Sequence, residues 1–131
     1  MREINTELLA SAVADAIRPW LPVGFEIEAA GGWLIVKTAD HVDYLPLKDN
    51  ILLNVADNGW RETAASATGN RLEELQTIVT LHLTSPWPPV DGDRSAFQEP
   101  FAYIRNDHLH FGFGDASPGA PTTAVVTVPW K

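Results

Sequence analysis

The sequence predicts an α+β fold: an antiparallel sheet of about five to six strands with two helices on one side, in the order α-β-β-(β)-α-β-β-β. Three observations predict it. Two segments carry apolar residues at three- and four-residue steps, which is one face of a helix. Two pairs of alternating segments meet at two-residue turn signals. The connections between elements are short, as antiparallel neighbours require.

The first helix is expected over about residues 5–18. Asn5 can cap it, and Ile4 and Leu9 are spaced to close a hydrophobic staple. Leu9, Ala12, Val13, Ala16, Ile17 and Trp20 share one face, and Pro19 and Pro22 end the run. Phe25 to Lys37 reads as a hairpin turning at Gly31-Gly32, which pairs Ala29 with Leu34, Ile27 with Val36 and Glu26 with Lys37. One face then holds Phe25, Ile27, Ala29, Leu34 and Val36. The opposite face holds Glu26, Glu28, Trp33, Ile35 and Lys37, where a structural ion pair is the expectation. His41 to Leu47 contains Pro46 and suits an edge strand. Ile51 to Val55 reads as a short strand before the turn residues Asp57-Asn58-Gly59.

Two patterns compete between Trp60 and Pro86. Asn70 with Glu73 resembles a capping box, and Leu72, Leu75, Ile78, Val79 and Leu83 share one side of a wheel while Gln76, Thr77, Thr80 and Thr84 take the other. That is an amphipathic helix, and the Ala-rich stretch Thr63–Thr68 extends it upstream past Gly69. The run Thr77–Thr84 is nonetheless rich in β-branched residues, which is strand chemistry. The helix is favoured because its pattern spans four turns and the cap agrees. Pro86-Trp87-Pro88-Pro89 reads as a stiff connecting loop. Phe101 to Phe113 is a second hairpin, turning at Asn106-Asp107. Its core face holds Ala102, Ile104, Leu109, Phe111 and Phe113, and its other face Phe101, Tyr103, Arg105, His108 and His110. Thr122 to Val128 is a last strand. This order resembles that of small secretion-chaperone-type domains, which are also acidic and often dimeric; the likeness is one of element order.

The 131 residues bound a single domain, 1–131, long enough to bury a core without staples. Nine Lys and Arg against 17 Asp and Glu give a net charge of −8, and the cations are scattered, so neither nucleic acid nor an anionic membrane is an expected partner. With no cysteine there are no disulfides, thiolate ligands or cysteine nucleophiles. The opening Met-Arg-Glu-Ile-Asn-Thr-Glu carries acids early and no long apolar run, which predicts no signal peptide, and no stretch approaches a membrane span; a cytoplasmic location is expected.

Few motifs carry chemistry. Asp40-His41-Val42-Asp43 and Asp107-His108-Leu109-His110 are the local clusters of hard or borderline metal ligands. If the hairpin stood beside the first cluster, His41, Asp43, His108 and His110 would converge as a metal site, the basis for a small metal-dependent or ligand-binding enzyme. The alternative is that His108 and His110 are surface residues with Tyr103 packed on His110. Gly112-Phe113-Gly114 is followed by Pro118 and Pro121, so it opens no dinucleotide-binding helix. Asp91, Asp93 and Ser95 lack the glycine and glutamate of a calcium loop. No serine sits in a nucleophile elbow. The sequence therefore predicts no cofactor and no catalytic residue. What remains is the mixed sheet face: Trp33, Ile35, Phe101, Tyr103 and His110 lie opposite the core positions. If the helices cover one side only, these residues form an exposed apolar patch, which marks an interface. The expected role is a non-catalytic binding or chaperone-like module whose partner is another protein or itself, as a homodimer.

Overall fold

The structure, a computed structural model, describes residues 4–47, 60–90, 93–114 and 121–130. Helix α1 spans Thr6–Ile17. Asn5 caps it as its spacing requires: the side-chain Oδ1 accepts from the Leu8 N–H at 3.1 Å. Ile4 and Leu9 are both buried, as a staple needs. Pro19 does not end the chain's coiling abruptly; a short 3-10 turn over Arg18–Trp20 absorbs it.

Strands β1 (Glu26–Ala30), β2 (Trp33–Lys37) and β3 (Val42–Pro46) form one antiparallel sheet. The register of the first hairpin is the predicted one, Glu26 opposite Lys37 and Ala29 opposite Leu34. Gly31 and Gly32 take φ of 60° and 84°, the positive values that a primed two-residue turn demands. Helix α2 spans Trp60–Leu83, 24 residues, so the helical pattern prevails over the β-branched run and reaches well upstream of Asn70. Strands β4 (Pro89–Val90) and β5 (Asp93–Phe97) make a two-stranded ribbon, while β6 (Pro100–Arg105), β7 (His108–Phe113) and β8 (Thr123–Thr127) make a second three-stranded sheet. Asn106 and Asp107 turn the β6–β7 hairpin with φ of 53° and 61°. The predicted strand Ile51–Val55 lies outside the described residues.

Several expectations are corrected. Sheets of three, two and three strands replace the single sheet of five to six. The physical reason lies at the edges, where side chains occupy places a further strand would need. Arg18 Nη2 donates to the Ile27 carbonyl at β1, and Arg71 Nη1 donates to the Pro46 carbonyl at β3, at 3.0 and 2.6 Å. Pro46 itself has no N–H to offer. The Pro86–Pro89 segment is more than a connecting loop, because it leads into β4 and because Trp87 is buried, its ring 5.3 Å from that of Phe113. Leu83, assigned to the buried side of the helix, is exposed, and Gln76, assigned to the polar side, is buried. Gln76 turns inward because its Nε2 donates to the Gln98 carbonyl at 2.6 Å, satisfying a main-chain acceptor beside β5.

One cluster of buried residues draws on both helices and on both three-stranded sheets. Helix α1 packs Leu9, Val13 and Ile17 over the face of Ile27, Leu34 and Val36. Helix α2 lies along β6 and also touches β7 and β3. Its near side is made of small residues: Ala64, Ala67 and Thr68 are buried, and a Cβ on Gly69 would stand 3.8 Å from that of Ala102. Leu72, Leu75 and Val79 continue the packing toward Leu109 and Phe111. Trp20 joins the two regions, with ring centroids 5.8 Å from Phe111 and 6.3 Å from Phe113. Each fully buried Val, Leu, Ile or Phe of this cluster contributes about 1.5–3 kcal/mol relative to exposure.

Candidate functional site: two outward sheet faces

Register places the outward residues of β6, β7 and β8 in three cross-strand rows. They are Phe101–Gly112–Thr123, Tyr103–His110–Val125 and Arg105–His108–Thr127. The alternate residues Leu109, Phe111 and Phe113 are buried, so the sheet is sharply two-sided. Tyr103 is 40% exposed and Val125 56%. Tyr103 stacks on His110 with centroids 4.7 Å apart and planes 6° from parallel, and on Phe101 at 6.2 Å and 29°. Offset ring pairs of this kind are worth about 0.5–1.5 kcal/mol beyond their buried area and hold the rings in place. The His108 Nδ1 lies 2.8 Å from the Asn106 carbonyl, so that nitrogen carries the proton as donor to the turn.

The outward face of the first sheet has a different character. Its rows are Ala30–Trp33–Pro46, Glu28–Ile35–Tyr44 and Glu26–Lys37–Val42. Trp33 meets Tyr44 edge to face, centroids 6.4 Å apart at 86°. Trp33 and Ile35 are half-buried, while Tyr44 and Val42 are exposed. Lys37 Nζ lies 2.7 Å from Glu28 Oε1, the predicted structural ion pair. The hydrogen bond from Lys37 to Glu28, reinforced by that carboxylate's charge, holds the lysine above its ordinary pKa. A groove of about 320 Å³ borders β1, lined by Arg18, Phe25, Glu26, Ile27, Glu28 and Lys37. Both cations in it are matched, Arg18 by Asp15 at 2.8 Å and Lys37 by Glu28.

The predicted interface residues thus fall into two groups. Phe101, Tyr103 and His110 come together on one sheet; Trp33 and Ile35 stand on another, so the single patch read from the sequence is two faces. The metal-ligand set is not brought together either. His41 lies against His82, centroids 5.9 Å apart, with its Nε2 3.4 Å from Asp43 Oδ1, whereas His108 and His110 are on β7. Among the described residues no group of three or more His, Cys, Asp or Glu side chains is placed to hold a metal ion. Sequence reasoning missed Tyr44 and Val125 as members of these faces. The signal was available in alternation: carrying the hairpin register one strand further assigns each of them an outward position. It also missed the Phe25–His82–His41 ring contacts, which join segments far apart in the chain and leave no local trace.

Among the described residues no helix is long and apolar enough to cross a membrane. Comparison with protein-family models, with curated proteins and with solved structures yields no match, so the two outward faces carry the functional argument alone.

Proposed function

We propose that this chain is a non-catalytic, chaperone-like binding module of the cytoplasm that acts through protein–protein contacts on the outward face of β6–β7–β8. The observation that carries the reading is Tyr103: a large aromatic residue, 40% exposed, fixed by stacking against both Phe101 and His110, and in one row with the exposed Val125. Rigid aromatic side chains offer contact area at small entropic cost, which is why they anchor interfaces. Among the described residues, the three cross-strand rows themselves hold no carboxylate in a chain of net charge −8, which lowers the repulsion an approaching protein surface meets there. Trp33 and Ile35, with Tyr44, form a second, more acidic surface. Nucleic acid is not a partner in this reading, because the cations are scattered over the sequence.

Sedimentation velocity over a wide concentration range tests it. The wild-type chain is expected to associate reversibly, and Tyr103→Ala to weaken that association about tenfold or more, the loss of an aromatic anchor worth roughly 1.4 kcal/mol or above. Trp33→Ala, on the second face, should weaken it less, and a metal chelator should change nothing. A monomer at every concentration, or association indifferent to Tyr103→Ala, ends the reading. A transition metal that co-purifies with untagged protein and is lost in His110→Ala would point instead to a metal-dependent enzyme.

A further inference from the structure

We propose that the outward face of β6–β7–β8 takes a carboxylate-bearing segment of a partner protein, with Arg105 holding the carboxylate and Tyr103 the apolar residue beside it. The proposal rests on the binding-module reading of this face and names the chemistry of the occupant.

Ion pairing sets Arg105 apart from the other cations. Arg18 meets Asp15 at 2.8 Å, Lys37 meets Glu28 at 2.7 Å, Arg61 meets Asp107 at 3.8 Å and Arg71 meets Glu74 at 2.7 Å. Among the described residues Arg105 meets no carboxylate, although it is exposed and the chain carries 17 Asp and Glu against nine Lys and Arg. With so large an excess of acids, an arginine left without one is a local exception. Asp107, the carboxylate of the adjoining turn, is engaged by Arg61 instead.

Register builds the rest of the site around this cation. The row Arg105–His108–Thr127 consists of hydrogen-bonding groups, a guanidinium, an imidazole and a hydroxyl, at opposed positions whose Cβ atoms stand about 4.5–5.5 Å apart. All three residues are exposed. The His108 Nδ1 is already given to the Asn106 carbonyl, so the guanidinium is the strong donor of the row, and its planar fork matches a carboxylate. The next row along β6 presents Tyr103, stacked on Phe101 and His110. Arg105 and Tyr103 are two residues apart on one strand face, a spacing of about 6.7 Å. An extended segment repeats that interval between alternate side chains, so it can set a carboxylate on Arg105 and an apolar side chain on Tyr103 together. The net charge of −8 opposes an acidic segment at a distance. At physiological ionic strength that repulsion is screened over about 8 Å, so the two rows decide once the surfaces are close.

The peptide acetyl-Thr-Leu-Thr-Glu-Thr-Leu-Thr-amide reads the same in both directions and has a leucine two residues to either side of its carboxylate; its control carries Gln for Glu. Titrated into the isotope-labelled full chain and followed by nuclear magnetic resonance, the Glu peptide should move amide signals of β6, β7 and β8. It should bind about threefold more tightly than the Gln peptide, the scale of one exposed ion pair. Arg105→Gln should erase that preference, Arg105→Lys should keep part of it, and Tyr103→Ala should weaken both peptides alike, with far-ultraviolet circular dichroism confirming each fold. Equal binding of the two peptides to wild type, or a preference that survives in Arg105→Gln, overturns the acidic partner. If those equal affinities still fall in Tyr103→Ala, the binding face stands and only its chemistry is wrong. If neither peptide moves a signal of this face while copies of the chain associate through Tyr103, the occupant is a second copy and the proposal is overturned. No peptide binding and no association removes both readings.

Discussion

At the scale of the residue, the sequence was most legible where chemistry is local. The Asn5 cap, the Lys37–Glu28 pair and the packing of Tyr103 on His110 each involve neighbours that turn spacing or strand register defines. Gln76 and Leu83 were misplaced for one reason: a helical wheel records which way a side chain points, but not which carbonyl needs a donor or where the covering sheet stops. The Lys37–Glu28 pair yields a pH prediction. Because the folded state holds Lys37 above its ordinary pKa, the stabilisation is complete below the lysine's unfolded value, about 10.4, and disappears as pH rises through the folded one. Both side chains are well exposed, so the effect is small. Urea denaturation should show wild type slightly more stable than Glu28→Gln at neutral pH, with the two converging in strongly alkaline buffer. A gap that widens there would show that the pair is not its source.

At the scale of the element, both hairpins and both helices could be read from the sequence, because turn residues and periodicity are short-range signals. Their grouping into separate sheets could not. Arg18 reaching Ile27 and Arg71 reaching Pro46 settle which edges stay open, and neither contact leaves a pattern in the chain. Helix α2 shows how local preference and packing meet. Gly69 is an unfavourable residue in mid-helix, yet a Cβ there would make ordinary contact with Ala102 rather than a clash. Gly69→Ala is therefore expected to stabilise the chain by up to about 1 kcal/mol in urea denaturation, through reduced backbone entropy of the unfolded state. Gly69→Leu should do the reverse, costing about 1–3 kcal/mol by pushing the helix away from β6. If Ala also destabilises, the helix sits closer to the sheet than described.

At the scale of the whole molecule, charge and surface chemistry pull in different directions. The net charge of −8 keeps copies apart, while among the described residues the three outward rows of β6–β7–β8 hold no carboxylate. Salt screens the first and leaves apolar and main-chain contacts intact. Self-association should therefore strengthen as sodium chloride is raised from roughly 0.05 to 0.5 M, where the screening distance falls to a few ångströms. Weakening with salt would mean that ion pairs hold the copies together. The sequence disclosed the sign and size of this charge but not its uneven distribution, which depends on register carried across three strands. The close approach of Gly69 to Ala102 has a wider implication. Where α2 crosses β6, the gap is set by a hydrogen atom at position 69 and a methyl group at 102, so the two sites share one fixed allotment of volume. Natural variants of this chain should then accept one methyl at 69 beside Ala102, and a larger side chain at 69 should appear only with glycine at 102.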